Sequence, residues 1–143
     1  MKVIVYKFFH YNLFKGVILF DVPKVIYSKN VQLGEGSRIN SNVFIHGQGH
    51  VEIGRNVTIS HGATILSTGY CLDDWANNQK NKMHVHGKVT IADNVWIGAN
   101  VTIVSGVNIS KGVVVGAGSI VTKDLICSNA LYAGVPARMI KQL

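Results

Sequence analysis

The chain has 143 residues, of which 48% are hydrophobic and only 15% charged, so it is long enough for one domain and is neither disordered nor a coiled coil. The 14 basic residues against 7 acidic residues give a formal charge of +7, which favours anionic ligands: nucleic acid, anionic lipid or a phosphate-rich cofactor. No stretch reaches the roughly 20 apolar residues of a membrane span.

The first segment, residues 1–24, is aromatic and basic, and we expect it to cap one end of the domain. It lacks a long apolar run followed by a small-residue cleavage site, so we expect no signal peptide. The two cysteines, Cys71 and Cys127, form no disulfide framework, which favours a cytoplasmic protein. Packing of residues 8–20 against the domain is favoured over peripheral contact with a membrane.

Residues 25–143 form one domain in which an apolar residue returns at every sixth position. The main series is Leu33, Ile39, Ile45, Ile53, Ile59, Ile65, Ile91, Ile97, Ile103, Ile109, Val115 and Val121. A second series, mostly valine, lies two positions earlier. Since no helix has this period, each unit is predicted to be a short strand with its branched residue inward, followed by a bend at a small residue. Three units make a triangular coil, so the pattern predicts an all-β solenoid of about four to five stacked coils with a C-terminal cap.

A long polar loop, residues 67–88, interrupts the repeat. A loop of this length in a compact solenoid is usually functional or disordered. Its acids Asp73 and Asp74 are candidates to orient a catalytic imidazole or to hold substrate hydroxyls, although loop acids are commonly just solvated. Val85 is in phase with the repeat, which predicts that it points inward and that His84 and His86 both point outward on the same side.

Three motifs follow in order in the second half: NVWIG at 94–98, GAGSIVTKD at 116–124 and AGVPAR at 133–138. Together they resemble the C-terminal half of the maltose, galactoside and nodulation-factor O-acetyltransferases of the hexapeptide-repeat family, and the related polysaccharide O-acetyltransferases. The resemblance implies a left-handed parallel β-helix and a homotrimer with active sites between subunits. It also implies acetyl-CoA as co-substrate, with no metal required.

The resemblance further implies cofactor contacts by six residues. They are Ala99, Ala117, Thr122, Lys123, Arg138 and Lys141. Small residues permit close approach of the pantetheine arm, and the cations suit the cofactor's phosphates. The alternative for the cations is an ordinary solvated surface.

Two residues match acceptor-binding positions of the resembling enzymes. Trp96 corresponds to an aromatic wall beside the substrate, and Asn40 to an acceptor-binding asparagine. Trp96 could instead fill a subunit interface, and Asn40 could be a corner residue that bonds the local backbone.

Acetyl transfer needs a general base, and histidine suits this role near neutral pH. The resembling sugar acetyltransferases carry their catalytic histidine where this chain has Tyr70, in the sequence STGY at 67–70. A looser branch has a histidine shortly before the VWIG motif, and His84 fits that position. We therefore predict His84 as the base, with His86 as the second candidate. His61, on a coil corner, is expected to face the same cleft from a neighbouring chain.

These features predict an acetyl-CoA-dependent O-acetyltransferase that acts on a sugar or glycan hydroxyl in polysaccharide biosynthesis. One alternative is N-acetylation of an amino sugar, which needs the same base. Another is a zinc enzyme resembling the hexapeptide-fold carbonic anhydrases, although their histidine pair five residues apart is absent. A third is a non-catalytic trimeric scaffold, which Tyr70 in place of histidine would favour. Nucleic-acid binding is not indicated, because the basic residues are scattered.

Overall fold

The architecture is a solenoid of short parallel strands with two helices at its N-terminal end. The structure, a computed structural model, describes residues 2–77, 80 and 82–143. The helices are α1 (Lys2–Phe9) and α2 (Tyr11–Phe14). The strands are β1 (Ile18–Leu19), β2 (Lys24–Ile26), β3 (Val31–Leu33), β4 (Arg38–Ile39), β5 (Phe44–His46), β6 (Val51–Ile53), β7 (Thr58–Ile59), β8 (Thr64–Leu66), β9 (Thr68–Tyr70), β10 (His84–His86), β11 (Val89–Ile91), β12 (Trp96–Ile97), β13 (Thr102–Ile103), β14 (Asn108–Ile109), β15 (Val114–Val115), β16 (Ile120–Val121), β17 (Ala130–Ala133) and β18 (Arg138–Gln142).

Three sheets form the faces of the solenoid. Sheet 1 has the order β1-β4-β7-β12-β15-β17-β18, sheet 2 the order β16-β13-β8-β5-β2, and sheet 3 the order β14-β11-β6-β3. Successive strands of the coils belong to sheets 1, 2 and 3 in turn, so one circuit visits all three faces. We call the bend from sheet 1 to sheet 2 the first corner, and the bend from sheet 2 to sheet 3 the second corner.

The solenoid is longer than the hexapeptide series predicts. Six strands of sheet 1 stack in parallel, from β1 to β17, which gives about six turns rather than four to five. The additional turns come from Ile18–Leu19 and Ala130–Ala133, whose sequences lie outside the six-residue series. β1 also lies within the residues that the sequence assigns to the N-terminal cap. β18 then pairs antiparallel with β17, which ends the parallel ladder.

The core confirms the inward direction of both apolar series. Ile39 pairs with Ile59, and Ile59 pairs with Ile97, so that isoleucine lies over isoleucine along the axis. All of these side chains are buried, as are the valines two positions earlier. Leu33, in the first complete coil, is only half-buried. Because each coil covers the apolar face of the next, stability is shared between neighbouring coils.

The bends differ in detail from the prediction. At Gly98 the residue after the main position is small because the next coil leaves no space there: a Cβ on Gly98 would lie 2.6 Å from the Val115 carbonyl oxygen. The left-handed backbone conformation falls two residues further on. There the chain places glycine or asparagine, such as Gly62 (φ 70°) and Asn100 (φ 55°), which tolerate it best.

The long loop begins and ends in a hairpin. β9 and β10 pair antiparallel, with His84 opposite Tyr70 and Val85 opposite Gly69. Residues 78, 79 and 81 of the predicted loop lie outside the described residues. The prediction that Val85 points inward is wrong: it is exposed on the hairpin, and the coil resumes only at β11, because the antiparallel pairing lifts residues 84–86 off the solenoid.

The N-terminal helices pack on the first coil through a few side chains. Phe14 and Val17 are buried there, and the Tyr6 hydroxyl donates to the Pro23 carbonyl oxygen (3.3 Å). Burial raises the pKa of the Tyr6 phenol. No helix among the described residues is long and apolar enough to cross a membrane.

Candidate active site

The hairpin at the second corner holds both histidines that the sequence singles out. The His84 ring lies against the Tyr70 ring, with centroids 4.5 Å apart and planes inclined by 32°. His86 lies on the same side of β10, with its ring parallel to that of His84 (4°) at 6.3 Å. The predicted common direction of the two histidines is therefore confirmed.

The two imidazoles differ in their hydrogen bonds. His86 Nδ1 bonds to the Thr68 hydroxyl at 2.9 Å. For His84, no hydrogen-bond partner lies within the part of the chain that the structure describes. Contact with the Tyr70 ring thus restrains the His84 ring while its nitrogens stay available to a substrate, whereas one nitrogen of His86 is already used.

The rest of the loop forms a small aromatic and acidic group beside the histidines. Trp75 lies 6.0 Å from the Tyr70 ring, and Lys82 Nζ lies 5.5 Å from the Trp75 centroid. Asp74 accepts a hydrogen bond from Asn77 Nδ2 (2.6 Å), and Asp73 faces the Cys71 thiol at 3.7 Å. Both acids are exposed and neither touches an imidazole, so the structure shows the two acids in local turn contacts.

The first corner collects a different group of predicted residues. Trp96 is 52% exposed on sheet 1, and its indole N–H donates to Ser60 Oγ at 3.0 Å. Asn40 Nδ2 donates to the Ile59 carbonyl oxygen at 3.1 Å, which is the local backbone bond expected of a corner residue. His61 Nδ1 lies 2.8 Å from Ser41 Oγ.

Two predicted cofactor residues continue this corner along the axis. Backbone bonds run from Asn100 N to the His61 oxygen (2.9 Å) and from Gly118 N to the Ala99 oxygen (2.8 Å), so Ala99 and Ala117 follow His61 in one column. The corner is thus polar in the early coils and lined by small residues in the later ones. Such a strip offers hydroxyl-binding groups at one end and close backbone approach at the other.

The cationic residues lie elsewhere. Thr122 and Lys123 follow β16 and are exposed at the second corner, on the same corner as the His84 hairpin. Arg138 and Lys141 lie on β18, where Arg138 Nη1 donates to the Ala137 carbonyl oxygen at 2.9 Å. The predicted site residues are therefore divided between the first corner, the second corner and the terminal strand β18 of sheet 1.

Sequence reasoning missed three hydroxyl partners: Ser60, Ser41 and Thr68. The only sequence signal for these partners is spacing: Ser41 and His61 are one coil apart, and this can be recognised only once the coil length is known.

A further histidine, His46, lies near the rings of Tyr27 and Phe44, and its Nδ1 is buried without a hydrogen-bond partner among the described residues. Across residues 2–77, 80 and 82–143 no group of three or more His, Cys, Asp or Glu is arranged to hold a metal ion.

Acetyltransferases are among the known proteins that share this architecture. The family described as the hexapeptide repeat of succinyl-transferase matches residues 88–123. None of the curated proteins matches the chain by sequence. Among solved structures, the hexapeptide-repeat-containing acetyltransferase VCA0836 from Vibrio cholerae superposes with a TM-score of 0.88 at 27% identity, covering 100% of this chain and 81% of that chain. VCA0836 is also known in complex with acetyl coenzyme A.

Two sugar acetyltransferases match at higher identity. The maltose O-acetyltransferase from Clostridium difficile 630 is 33% identical, with a TM-score of 0.82, and the match covers 90% of this chain and 67% of that chain. A galactoside acetyltransferase in complex with coenzyme A is 35% identical, with a TM-score of 0.76, over 88% of this chain and 64% of that chain.

The stacked coils and these matches define a left-handed parallel β-helix of the hexapeptide-repeat class. The chain belongs to the hexapeptide-repeat acetyltransferase family that includes the maltose and galactoside enzymes, and it is an acyltransferase.

Proposed function

We propose that this protein transfers the acetyl group of acetyl-CoA to a hydroxyl of a sugar or glycan, with His84 as general base. The acetyl donor is supported by the relatives that bind acetyl-CoA or coenzyme A, and the acceptor class by the maltose and galactoside enzymes. The observation that carries the proposal is the contact of His84 with Tyr70. Tyr70 stands where the resembling enzymes have their catalytic histidine, and His84 supplies an imidazole beside that position.

The active form that we propose is a homotrimer with sites between subunits. His84 and Lys123 lie at the second corner, whereas Trp96, Asn40 and His61 lie at the first. Within one chain, sheet 2 separates these two groups. A neighbouring chain that sets its first corner against this second corner would complete a site with a base, a cation and an aromatic wall.

In this site His84 takes the proton of the acceptor hydroxyl as its oxygen attacks the thioester carbonyl carbon. The carbon–sulfur bond then breaks, the acetyl group stays on the acceptor oxygen, and the coenzyme A thiolate accepts the proton. A backbone N–H of the site stabilises the oxyanion during the attack. Tyr70 acts as a positioning residue, because its ring holds the imidazole plane without using either ring nitrogen.

The remaining predicted residues have roles in binding. Lys123 and Arg138, with Lys141, pair with the phosphates of acetyl-CoA, and Thr122 contacts the cofactor beside them. Ala99 and Ala117 let the pantetheine arm approach the backbone. Asn40, Trp96 and His61 bind the acceptor, with Asp73 and Asp74 available to sugar hydroxyls at the mouth of the loop.

The test is release of coenzyme A from acetyl-CoA in the presence of a sugar and oligosaccharide panel. We expect acceptor-dependent release that falls by about a hundredfold or more in His84→Ala, given the usual contribution of a general base. His86→Ala is the matched control, since it removes a second exposed imidazole of the same strand. Both variants must keep the wild-type melting temperature and assembly mass.

Three results would contradict the proposal. Activity that survives in His84→Ala and is lost in His86→Ala would transfer the role to His86. Acetylation of amino groups but not of hydroxyls would favour the amino-sugar alternative. Wild-type release equal to the background with every acceptor would favour the scaffold without activity.

A further inference from the structure

The N-terminal helix presents its apolar face outward. Phe8 and Phe9 are 78% and 76% exposed, and Ile4 and Val5, one turn earlier, are exposed as well. The opposite face holds the helix in place, since the Tyr6 ring packs on His10 (4.3 Å) and Phe14 (5.5 Å). The exposed face is therefore held outward by contacts on the other side of the same helix.

The outward aromatic residues share one open groove with a lysine. Phe8, Phe9 and Tyr11 line a groove of about 630 Å³ together with Lys29 of the turn before β3. The Phe8 and Phe9 rings meet edge to face with centroids 5.7 Å apart. Large aromatic side chains that remain this exposed among the described residues mark a surface for interaction.

The N-terminal segment that carries this groove is strongly positive in sequence. Residues 1–30 contain five lysines and a single acidic residue, Asp21. The lysines are Lys2, Lys7, Lys15, Lys24 and Lys29. Lys7 donates to the Val17 carbonyl oxygen (2.7 Å), and the side chains of the other four are exposed. Most of the chain's excess charge is thus concentrated at this end.

We infer that this end of the solenoid docks on an anionic lipid surface, with the Phe8–Phe9 face in the headgroup region. Exposed aromatic side chains beside lysines are the combination that binds the interface of an anionic bilayer. The eight-residue helix is only about 12 Å long, so it can lie in the interface but not span a bilayer. A second copy of the chain fits less well, because face-to-face pairing would bring lysine against lysine.

This inference goes beyond the proposed function and does not depend on it. Binding by one short helix and four or five lysines is weak and reversible, since stable anchoring needs more apolar area. The expected behaviour is an exchange between bound and free protein that depends on the lipid charge and on salt.

The experiment is sedimentation of the full chain with vesicles. Vesicles of phosphatidylcholine alone are compared with vesicles of equal parts phosphatidylcholine and phosphatidylglycerol. We expect binding to the anionic vesicles to be about a hundredfold stronger and to weaken in high salt. Phe8→Ser/Phe9→Ser is expected to abolish it, and Lys2→Gln/Lys15→Gln to weaken it about tenfold.

The matched control is Ile126→Ser, which removes an apolar side chain of the same exposure (77%) far along the chain and is expected to bind as the wild type does. Equal binding to both vesicle types, no binding by the wild type, or full binding by Phe8→Ser/Phe9→Ser would overturn the inference. A lipid-free Phe8→Ser/Phe9→Ser protein with a smaller assembly mass would also overturn it, since the face would then be a subunit contact. Should that variant fail to fold, the lysine variant and the salt dependence decide the question.

Discussion

The imidazole of His84 lies against the phenol ring of Tyr70 across an antiparallel pair, with ring centroids 4.5 Å apart. The two residues are fourteen positions apart in the chain, and only the β9–β10 hairpin brings them together. This contact places an imidazole beside the position at which the sugar acetyltransferases that the sequence resembles carry their histidine. It also gives Tyr70 a role that does not require its hydroxyl.

Replacing Tyr70 tests that role. Tyr70→Ala is expected to lower kcat about fivefold, because the loss of the ring that contacts His84 frees the imidazole to leave its working orientation. Tyr70→Phe keeps the ring and is expected to stay within about twofold of the wild type. Steady-state kcat and KM for both substrates are the measurement. A change in KM alone, or an equal loss in both variants, would count against a positioning role.

The hydrogen bond between Trp96 and Ser60 is expected to shape the acceptor-binding wall. Trp96→Phe and Ser60→Ala each remove this one bond, so each is expected to raise the acceptor KM about threefold to tenfold. The double variant is expected to match either single variant, because both changes delete the same interaction. If the increases in acceptor KM of the two single variants instead added up in the double variant, the bond would not be what holds the indole in place.

Cations at different corners should contribute unequally to cofactor binding. Lys123→Gln, at the second corner, is expected to raise the KM for acetyl-CoA about fivefold, because it removes a partner of the phosphates. Lys111→Gln is the control: this lysine is also exposed, but it follows β14 at the bend from sheet 3 to sheet 1, away from the second corner. Equal shifts in the two variants would point to general charge attraction rather than to a specific contact.

The tight stacking of the coils makes a stability prediction that is independent of activity. Gly98→Ala would place a Cβ 2.6 Å from the Val115 oxygen and 2.7 Å from the Ala117 nitrogen, so it is expected to lower the free energy of unfolding by about 1–3 kcal/mol.

Gly69→Ala is the matched control for Gly98→Ala. No described atom lies within 4 Å of a Cβ at Gly69, so the free energy of unfolding should change by no more than about 0.5 kcal/mol. Chemical denaturation measures both variants. If Gly98→Ala were as stable as Gly69→Ala, the coils would have to separate more easily than their backbone contacts indicate.

The sequence by itself determined the interior of the solenoid. Residues such as Ile59 and Ile97 point inward because a branched side chain at every sixth position can be buried only if the coils stack, and this depends on local spacing. The motif with Trp96 and the tail with Arg138 likewise indicated the family. The end turns at Ile18–Leu19 and Ala130–Ala133 were missed, because strands at the ends pair without carrying the repeat.

Only the tertiary structure decided the arrangement of the candidate site. Val85 is in phase with the repeat, yet pairing with Gly69 lifts it off the coil, and the same pairing sets His84 on Tyr70. The coil geometry likewise separated His84 at the second corner from Trp96 at the first. The positions of these side chains depend on the pairing of strands distant in sequence and on the triangular cross-section of the coil. Neither follows from the six-residue period of the chain.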